Sequence, residues 1–227
     1  MDESLDGVAA AWDREYKSGR YLREPPVPFV RDIVSIARRQ GLMSGAGLYI
    51  GCGNGRNYLP LVDAGLDLIG LDVSSTAIQE LARRVPSRSD QLVQGDVSAI
   101  PAASTFDTVV GIQVFQHGTR AVCHDHIRSA QGRVRTGGIF AVRVNAVDTD
   151  IEFPHEVVEP PDGSGFTIRY REGPKAGLLV HFFDRVELEE LFRRTFEPVL
   201  PLRLDSTKRA TPSSGQWSQW EAIWTRK

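Results

Sequence analysis

Short apolar runs alternate with segments of helical periodicity along much of the chain. The apolar runs predict four buried strands, at 47–51, 67–73, 91–97 and 105–115. The segments RNYLPLVDAG and TAIQELARRV separate the first three strands and place apolar residues at helical spacing; Ser74 or Ser75 can cap the second helix. Strands joined by helices of this length pair in parallel through right-handed crossovers. The pattern therefore predicts an α/β fold with an open twisted sheet.

The later part of the chain extends this pattern. A polar helix across roughly 120–134 precedes a fifth strand, GGIFAVRVNAV, and Asp184 with Glu187 resembles a capping box at the start of a further helix. The segments FEPVLPLRLDS and QWSQWEAIWTR predict an antiparallel hairpin at the end of the sheet. The predicted sheet is mostly parallel, with helices on both faces and this hairpin at its C-terminal end.

Two segments lie outside the alternation. Residues 1–41 contain REPPVPFVRDIVSIARRQG, whose apolar spacing predicts a covering helix that ends near Gly41. Residues 149–180 are rich in Pro and Gly and hold only short strand-like pieces, and an insertion at this place in an open α/β sheet predicts substrate contacts. Since no linker separates these parts, we expect one domain over 1–227.

Composition narrows the possible partners. The chain has 227 residues, 41% of them hydrophobic and 25% charged, with a net charge of -2, which provides no long-range attraction to nucleic acid or anionic membrane. Cys52 and Cys123 offer neither a disulfide framework nor a zinc-ligand spacing. The acidic start lacks the features of a signal peptide, and no apolar run is long enough to span a bilayer. We therefore expect a soluble, cytoplasmic protein.

The stretch LYIGCGNGRNYL places three glycines directly after the first predicted strand. Gly51, Gly53 and Gly55 can adopt torsions that other residues avoid, and their missing side chains allow a ligand to approach the main chain at the start of a helix. The alternative is that the glycines only permit a tight strand-to-helix turn.

Two acidic residues follow the next strands at the same predicted edge of the sheet. Asp72 comes 21 residues after Gly51, a separation typical of a carboxylate that accepts hydrogen bonds from ribose hydroxyls. Asp96, after Gly95, could receive a donor such as an exocyclic amine. The alternatives are that Asp72 caps the following helix and that Gly95-Asp96 is an ordinary turn.

The glycine spacing G-x-G-x-G, together with Asp72, Gly95-Asp96 and the terminal hairpin, resembles class I S-adenosylmethionine-dependent methyltransferases. The resemblance covers essentially the whole chain and implies a Rossmann-like fold in which the glycine loop holds the methionine part of the cofactor, Asp72 the ribose and Asp96 the adenine. It also implies that WDREYKSGRY forms a lid over the cofactor. The family often has an acidic residue where this chain has Tyr49, so the cofactor ammonium must be held elsewhere, for example by loop carbonyls. The candidate cofactor-binding residues are Trp12, Gly51, Cys52, Gly53, Gly55, Asn57, Asp72, Val73, Gly95, Asp96, Val97 and Gln113.

His117 is the leading candidate for catalysis because it lies just beyond the fourth predicted strand, where cofactor and acceptor should meet. An imidazole can accept a proton at neutral pH, which favours a hydroxyl acceptor. The alternative is a structural histidine that bonds loop backbone. Tyr16 and Tyr21 of the lid are further candidates for the pocket, although lid aromatics often only pack.

Other histidines and carboxylates are weaker candidates. His124 and His126 point apart on a helix, so they are expected at the surface rather than on one metal ion. Asp148, Asp150, Glu152 and His155 could form a magnesium site, but their spacing matches no known loop, and a solvated turn is the alternative. The prediction is that no metal is bound.

The predicted function is methyl transfer from S-adenosylmethionine to a small-molecule acceptor, with a hydroxyl or carboxylate oxygen of a sugar, polyol or natural product preferred. The alternatives are a nicotinamide-dependent oxidoreductase and a non-catalytic module that binds S-adenosylmethionine. We expect no nucleic-acid or membrane partner, and a monomer or homodimer.

Overall fold

A computed structural model describes residues 5–19, 21–161, 165–211 and 213–227. The helices are α1 Leu5–Lys17, α2 Phe29–Arg39, α3 Tyr58–Asp63, α4 Ser75–Arg84, α5 Arg120–Gln131 and α6 Arg185–Phe192. The strands are β1 Ala46–Ile50, β2 Asp67–Asp72, β3 Leu92–Gln94, β4 Phe106–Ile112, β5 Val134–Asn145, β6 His155–Glu159, β7 Phe166–Tyr170, β8 Leu179–Phe182, β9 Phe196–Lys208 and β10 Gln216–Arg226.

The central sheet has seven strands in the order β3-β2-β1-β4-β5-β10-β9. The first five strands in this order are parallel, and β10 pairs antiparallel with both β5 and β9. The predicted fold class, a mostly parallel sheet with a C-terminal antiparallel hairpin, is confirmed.

Alternate residues along the parallel strands point to opposite faces, and both faces are covered. Leu48, Val109 and Phe140 form one row across β1, β4 and β5 and belong to a core shared with α5 and α6. The neighbouring row, which starts at Tyr49 and Val110, belongs to a second core with α2 and α3. Because both faces are buried, the strands read as continuous apolar runs rather than as an alternating pattern.

The hairpin strand β10 adds aromatic side chains to the core. Trp224 stacks on Phe192 of α6 with ring centroids 3.8 Å apart, and the Trp220 indole N–H donates to the carbonyl of Phe183 at 3.0 Å. Trp217 lies on the other face of the strand and is 36% exposed. Packing is therefore the role of Trp220 and Trp224.

Residues 149–180 hold more regular structure than the sequence indicated. Strands β6, β7 and β8 form a separate antiparallel sheet. Single bridges from Val180 to His117 and from Phe183 to Ala146 connect this region to the ends of β4 and β5. The small sheet therefore lies against the edge where the parallel strands end.

Two boundaries differ from the prediction. Helix α5 ends at Gln131, with Gly132 as its C-cap residue, and β5 begins at Val134 instead of near Gly137. Among the described helices, none combines the length and hydropathy needed to cross a bilayer.

Candidate active site

The sheet order reverses between β1 and β4, so the loops after β1, β2, β3 and β4 meet at one edge. The N–H groups of Gly51 and Cys52 both donate to the carbonyl of Leu71, at 2.7 and 3.0 Å, which fixes the glycine loop against the end of β2. This crevice is the predicted place for a ligand.

All three loop glycines have positive φ, +72° at Gly51, +54° at Gly53 and +98° at Gly55. A Cβ at Gly53 would lie 2.5 Å from the Tyr16 hydroxyl, which comes down from the lid. At Gly55 it would lie 2.6 Å from a methyl carbon of Leu81 in α4. The loop is therefore glycine-rich partly because the protein's own side chains pack against it, and only Gly51 and Gly53 line the cavity described below. Gly55 does not line this cavity, and its part in cofactor binding stays a prediction.

Asp72 lies at the end of β2 and is 7% exposed. One carboxylate oxygen accepts from the Gly53 N–H at 2.8 Å and the other from the Ser74 N–H at 2.9 Å. Burial raises the pKa of Asp72 to about 6, although these two hydrogen bonds oppose the change. Ser74, not Asp72, is the N-cap of α4, because its hydroxyl accepts from the Ala77 N–H. Each carboxylate oxygen retains a second lone pair that a bound hydroxyl can use.

Helix α1 is fastened to α4 through Asp13. Its carboxylate accepts from the hydroxyl of Ser74 at 2.5 Å, the hydroxyl of Ser75 at 3.1 Å and the backbone N–H of Thr76 at 3.0 Å. Burial alone would raise the pKa of Asp13, but these hydrogen bonds outweigh it and hold the pKa below its ordinary value. A carboxylate at a helix N-terminus also interacts favourably with the helix dipole. No pattern in the sequence had pointed to Asp13.

Lid aromatics form a row above the glycine loop. The rings of Trp12 and His117 are in edge contact at 5.0 Å, Trp12 and Tyr16 are 6.2 Å apart, and Tyr16 and Tyr21 are 6.0 Å apart. Tyr21 has a positive φ of 68°, which is uncommon for a residue with a side chain. Burial, with the nearby Asp72 carboxylate, raises the pKa of Tyr16 well above its ordinary value, so its hydroxyl stays protonated.

His117 lies in the loop after β4, where Gln113 also has a positive φ of 58°. Both ring nitrogens of His117 are enclosed, and neither makes a hydrogen bond of normal geometry with a described residue. Burial lowers the pKa of His117 to about 3; the Lys175 charge acts in the same direction, while the Gln113 backbone opposes it. The imidazole is therefore neutral and weakly basic. In this closed arrangement the pKa of His117 is far below the near-neutral value that a general base was expected to have.

These parts surround one cavity of about 920 Å³. Apart from Gly55, it is lined by every residue that the sequence analysis proposed for cofactor binding or catalysis. Asn57 also has an anchoring task, since its side-chain oxygen accepts from the Val27 N–H at 3.0 Å. Asp96 accepts from the N–H of Ser98 at 2.8 Å and is only partly buried.

The far wall of the cavity was not predicted. Arg143, Asn145, Asp205, Thr207, Trp217 and Gln219, from β5 and the hairpin, line it. Arg143 donates to Glu221 at 2.7 Å and to Asp205 at 2.6 Å, and Gln219 donates to Asn145 at 2.7 Å. The available sequence signal was the pair of polar residues, Arg143 and Asn145, near the end of the apolar strand β5.

The metal groups that the sequence suggested do not assemble. Asp150 accepts from the Gln216 N–H at 2.8 Å, and Glu152 accepts from Ser213 at 2.5 Å, so both carboxylates bind the loop end of the β9–β10 hairpin. His155 bonds the carbonyl of Phe153 through its own ring at 3.0 Å. His124 is only partly exposed and lies beside His181 and Glu187.

Solved structures with the same fold are numerous. The 1,6-didemethyltoxoflavin-N1-methyltransferase of Burkholderia thailandensis, with its substrate and S-adenosylhomocysteine bound, is 19% identical with a TM-score of 0.66, over 99% of this chain and 91% of that one. TehB of Haemophilus influenzae is 18% identical with a TM-score of 0.63, and the match covers 95% of this chain and 67% of TehB. An S-adenosylmethionine-dependent methyltransferase of Clostridium acetobutylicum is 11% identical with a TM-score of 0.61, and the match covers 97% of this chain and 98% of that one. At such low sequence identities, the structural similarity shows that the fold is shared and nothing more.

Comparison with family models, which uses the sequence alone, assigns part of the chain to a known domain family. No curated protein matches the chain. A family model described as a methyltransferase domain matches residues 48–138, from β1 through the glycine loop and Asp72 to the start of β5. The matched segment, 48–138, is thus a methyltransferase domain, and the fold that contains it is the one that the similar S-adenosylmethionine-dependent methyltransferases have. The nicotinamide-dependent alternative is therefore dropped.

The residues of this methyltransferase fit its cofactor. The glycine loop brings the backbone of Gly51 and Gly53 to the wall of the cavity, Asp72 offers acceptor lone pairs beside it, and Asp96 lines the cavity after the next strand. The volume of about 920 Å³ lies near the upper end of the range for small-molecule sites, which leaves room for an acceptor beside the cofactor.

Proposed function

We propose that this methyltransferase transfers the methyl group of S-adenosylmethionine to a small molecule bound between His117 and the far wall of the cavity. The observation that carries the proposal is continuity: one cavity connects the glycine loop and Asp72 with His117 and with the polar side chains of β5 and β10. A donor site and an acceptor site in one enclosed space are what a direct transfer requires.

In this proposal the loop backbone at Gly51 and Gly53 holds the methionine part of the cofactor, Asp72 accepts hydrogen bonds from the ribose, and Asp96 faces the adenine. Tyr49 is 1% exposed and packs edge-on against Tyr58 at 6.0 Å, so it replaces the acidic residue of related enzymes with a core aromatic. The ammonium group is then left to loop carbonyls.

When bound, the cofactor supplies an activated methyl group on a sulfonium leaving group. The chain contributes mainly orientation and the exclusion of water. Trp12 and Tyr16 close the cavity from above, and Trp12 sets the His117 ring by edge contact at 5.0 Å. A neutral His117 accepts a hydrogen bond from the acceptor and takes its proton only as positive charge develops during transfer.

The acceptor in this proposal is a small molecule that presents an O–H or N–H group to His117. The preference for oxygen depended on a base with a pKa near neutrality, and the pKa of about 3 removes that reason. The side-chain carbonyl oxygens of Gln116 and Gln219 are buried without partners among the described residues, and both residues line the cavity. Such oxygens favour a ligand with hydrogen-bond donors. That the similar Burkholderia enzyme is an N1-methyltransferase supports including nitrogen acceptors.

Calorimetric titration with S-adenosylhomocysteine tests the cofactor assignment. Wild-type protein should bind one equivalent, and Asp72→Ala should weaken binding by about tenfold or more, because a charged hydrogen-bond acceptor is lost. Asp67→Ala is the matched control, since Asp67 begins the same strand, is exposed and pairs with Arg88 at 3.1 Å. Equal affinities of the two variants would remove Asp72 from the site.

An acceptor screen with radiolabelled S-adenosylmethionine tests the transfer itself. We expect methylated product from at least one small hydroxyl or amine compound. Tight cofactor binding without product across a broad panel would instead identify a non-catalytic binding module.

A further inference from the structure

A second group of polar side chains converges outside the cavity. His124 of α5, His181 of β8 and Glu187 of α6 bring one ligand atom each to within 4.8 Å of the other two. The Glu187 Oε1 atom lies 2.6 Å from His124 Nε2 and 2.9 Å from His181 Nε2. None of the three residues lines the cavity, so the cluster is separate from the proposed active site.

The hydrogen bonds behind His181 determine where its ring carries a proton. The Thr167 hydroxyl donates its only hydrogen to Glu159, so it can only accept from His181 Nδ1, which lies 2.8 Å away. With this hydrogen on Nδ1, the ring presents Nε2 to Glu187 Oε1 at 2.9 Å, which is the tautomer that a metal ligand requires. A cation, either a proton or a metal ion, fits between these two atoms, and Arg120 Nε lies 3.8 Å from the same carboxylate oxygen.

Three features point to a metal ion as that cation. His124 adds a third ligand atom from another element, so three elements of the fold contribute to one point. The His181-Thr167-Glu159 chain has the form of the outer hydrogen bonds that orient metal-bound histidines. The His124 side chain is 19% exposed while the side chains of His181 and Glu187 are almost fully buried, which gives the point access to solvent from one side.

We propose that His124 Nε2, His181 Nε2 and Glu187 Oε1 bind a divalent transition-metal ion, with zinc as the best match. Two imidazoles and one carboxylate are a zinc ligand set, and water takes the fourth position. Zinc bonds of about 2.0–2.1 Å place tetrahedral ligands about 3.3 Å apart. On binding, Glu187 Oε1 would therefore move away from His124 Nε2 by about 0.7 Å and from His181 Nε2 by about 0.4 Å. The Glu187 Oε2 atom, 3.4 Å from the Asp184 N–H, remains available to the capping box.

The site is structural in this proposal. The backbone N–H of His181 donates to the carbonyl of Gln116 at 2.8 Å, and Val180 forms a β-bridge with His117. An ion bound by His181 would therefore hold β8 against the loop after β4. The metal should therefore raise the melting temperature and leave the affinity for S-adenosylhomocysteine within about threefold.

Cobalt and zinc titrations of chelator-treated full-length protein test the proposal. One equivalent of Co²⁺ should produce visible d–d absorption that Zn²⁺ abolishes, and Zn²⁺ should raise the melting temperature by several degrees through linkage. His124→Gln keeps a donor toward Glu187 and changes a partly exposed position, and it should weaken Co²⁺ binding by about a hundredfold or more. His126→Gln, on the same helix and outside the cluster, should leave Co²⁺ affinity unchanged.

Absence of saturable absorption, or equal Co²⁺ affinities of the two variants, would overturn the proposal. Nitrogen-15 spectra of the histidine rings provide an independent measurement. Two protonated nitrogens on His181, unchanged by added Zn²⁺, would show that a proton occupies the place assigned to the metal. Either result leaves the cofactor assignment untouched, because that assignment is read from S-adenosylhomocysteine binding.

Discussion

At the residue scale, burial changes the chemistry of Asp72 and His117 in opposite ways. The same loss of water raises the pKa of the carboxyl group to about 6 and lowers that of the imidazole to about 3. In each case the neutral form is favoured. The sequence identified both residues by position, but their titration depends on how tightly α1 and the loops close around them.

Cofactor affinity should depend on pH through Asp72. Above pH about 6 the carboxylate is ionised and accepts hydrogen bonds; as the pH falls through about 6 it takes up a proton and loses acceptor capacity. Affinity for S-adenosylhomocysteine should therefore fall between pH 7 and pH 5, by up to about tenfold per pH unit below the pKa. Titration calorimetry between pH 7 and pH 5 measures this change in affinity.

The Asp72→Asn variant is the control for this pH effect, since its amide does not titrate. Its affinity should be lower at pH 7 and nearly constant down to pH 5. A wild-type profile that parallels the flat profile of Asp72→Asn would contradict the assignment.

His117 should affect turnover more than cofactor binding. Once an acceptor is known, His117→Gln should lower kcat by about a hundredfold, the low end for proton-transfer groups, because the neutral imidazole is a weak base. Affinity for S-adenosylhomocysteine should change little. Since the pKa of His117 is about 3, its protonation should produce no inflection in the rate between pH 5 and pH 8.

His155→Gln, at an exposed position on β6, is the matched variant for this test. Unchanged kcat in His117→Gln would remove His117 from the mechanism. A rate inflection near pH 6.5 that disappears in His117→Gln would show that the site is more open in solution than in this structure.

At the element scale, the lid helix α1 is attached to the nucleotide side of the site. Asp13 binds the first turn of α4, and the same turn supplies the Ser74 N–H that binds Asp72. Attachment of the lid and the geometry of the proposed ribose site at Asp72 therefore depend on the same helix N-terminus. The sequence predicted a lid from WDREYKSGRY but not its point of attachment, because the contact joins residues about sixty positions apart.

Removing the Asp13 contact should loosen the lid. Asp13→Ala should lower affinity for S-adenosylhomocysteine by about fivefold, which corresponds to about 1 kcal/mol for a lost capping carboxylate. Asp13→Asn keeps one acceptor oxygen and should lie between Asp13→Ala and wild type. Arg14→Ala, on the exposed side of α1, should behave as wild type. Full affinity in Asp13→Ala, measured by calorimetry, would show that the lid closes without this anchor.

At the scale of the whole molecule, the sequence predicted the parallel sheet well and the acceptor side poorly. Strands such as β1 and β4 are buried on both faces, so their apolar runs were sufficient evidence. The glycine loop and Asp72 were found because local spacing sets their geometry. Arg143, Asn145 and Gln219 were missed because their meeting depends on the register between β5 and β10, 74 positions apart at Gln219 and Asn145. The sequence indicated only short strand-like pieces in 149–180 and not that β6, β7 and β8 pair into a sheet of their own, because Pro and Gly separate these short runs.

The position of β10 between β5 and β9 has a consequence for synthesis on the ribosome. Strand β9 is translated before β10, yet within the described part of the central sheet it pairs with β10 alone. A nascent chain can therefore assemble the parallel strands of the sheet, with the glycine loop and Asp72, before β9 has a neighbouring strand to pair with. The part of the cavity proposed for the cofactor can then form before the part proposed for the acceptor, and β10, which is translated after β9, completes the far wall.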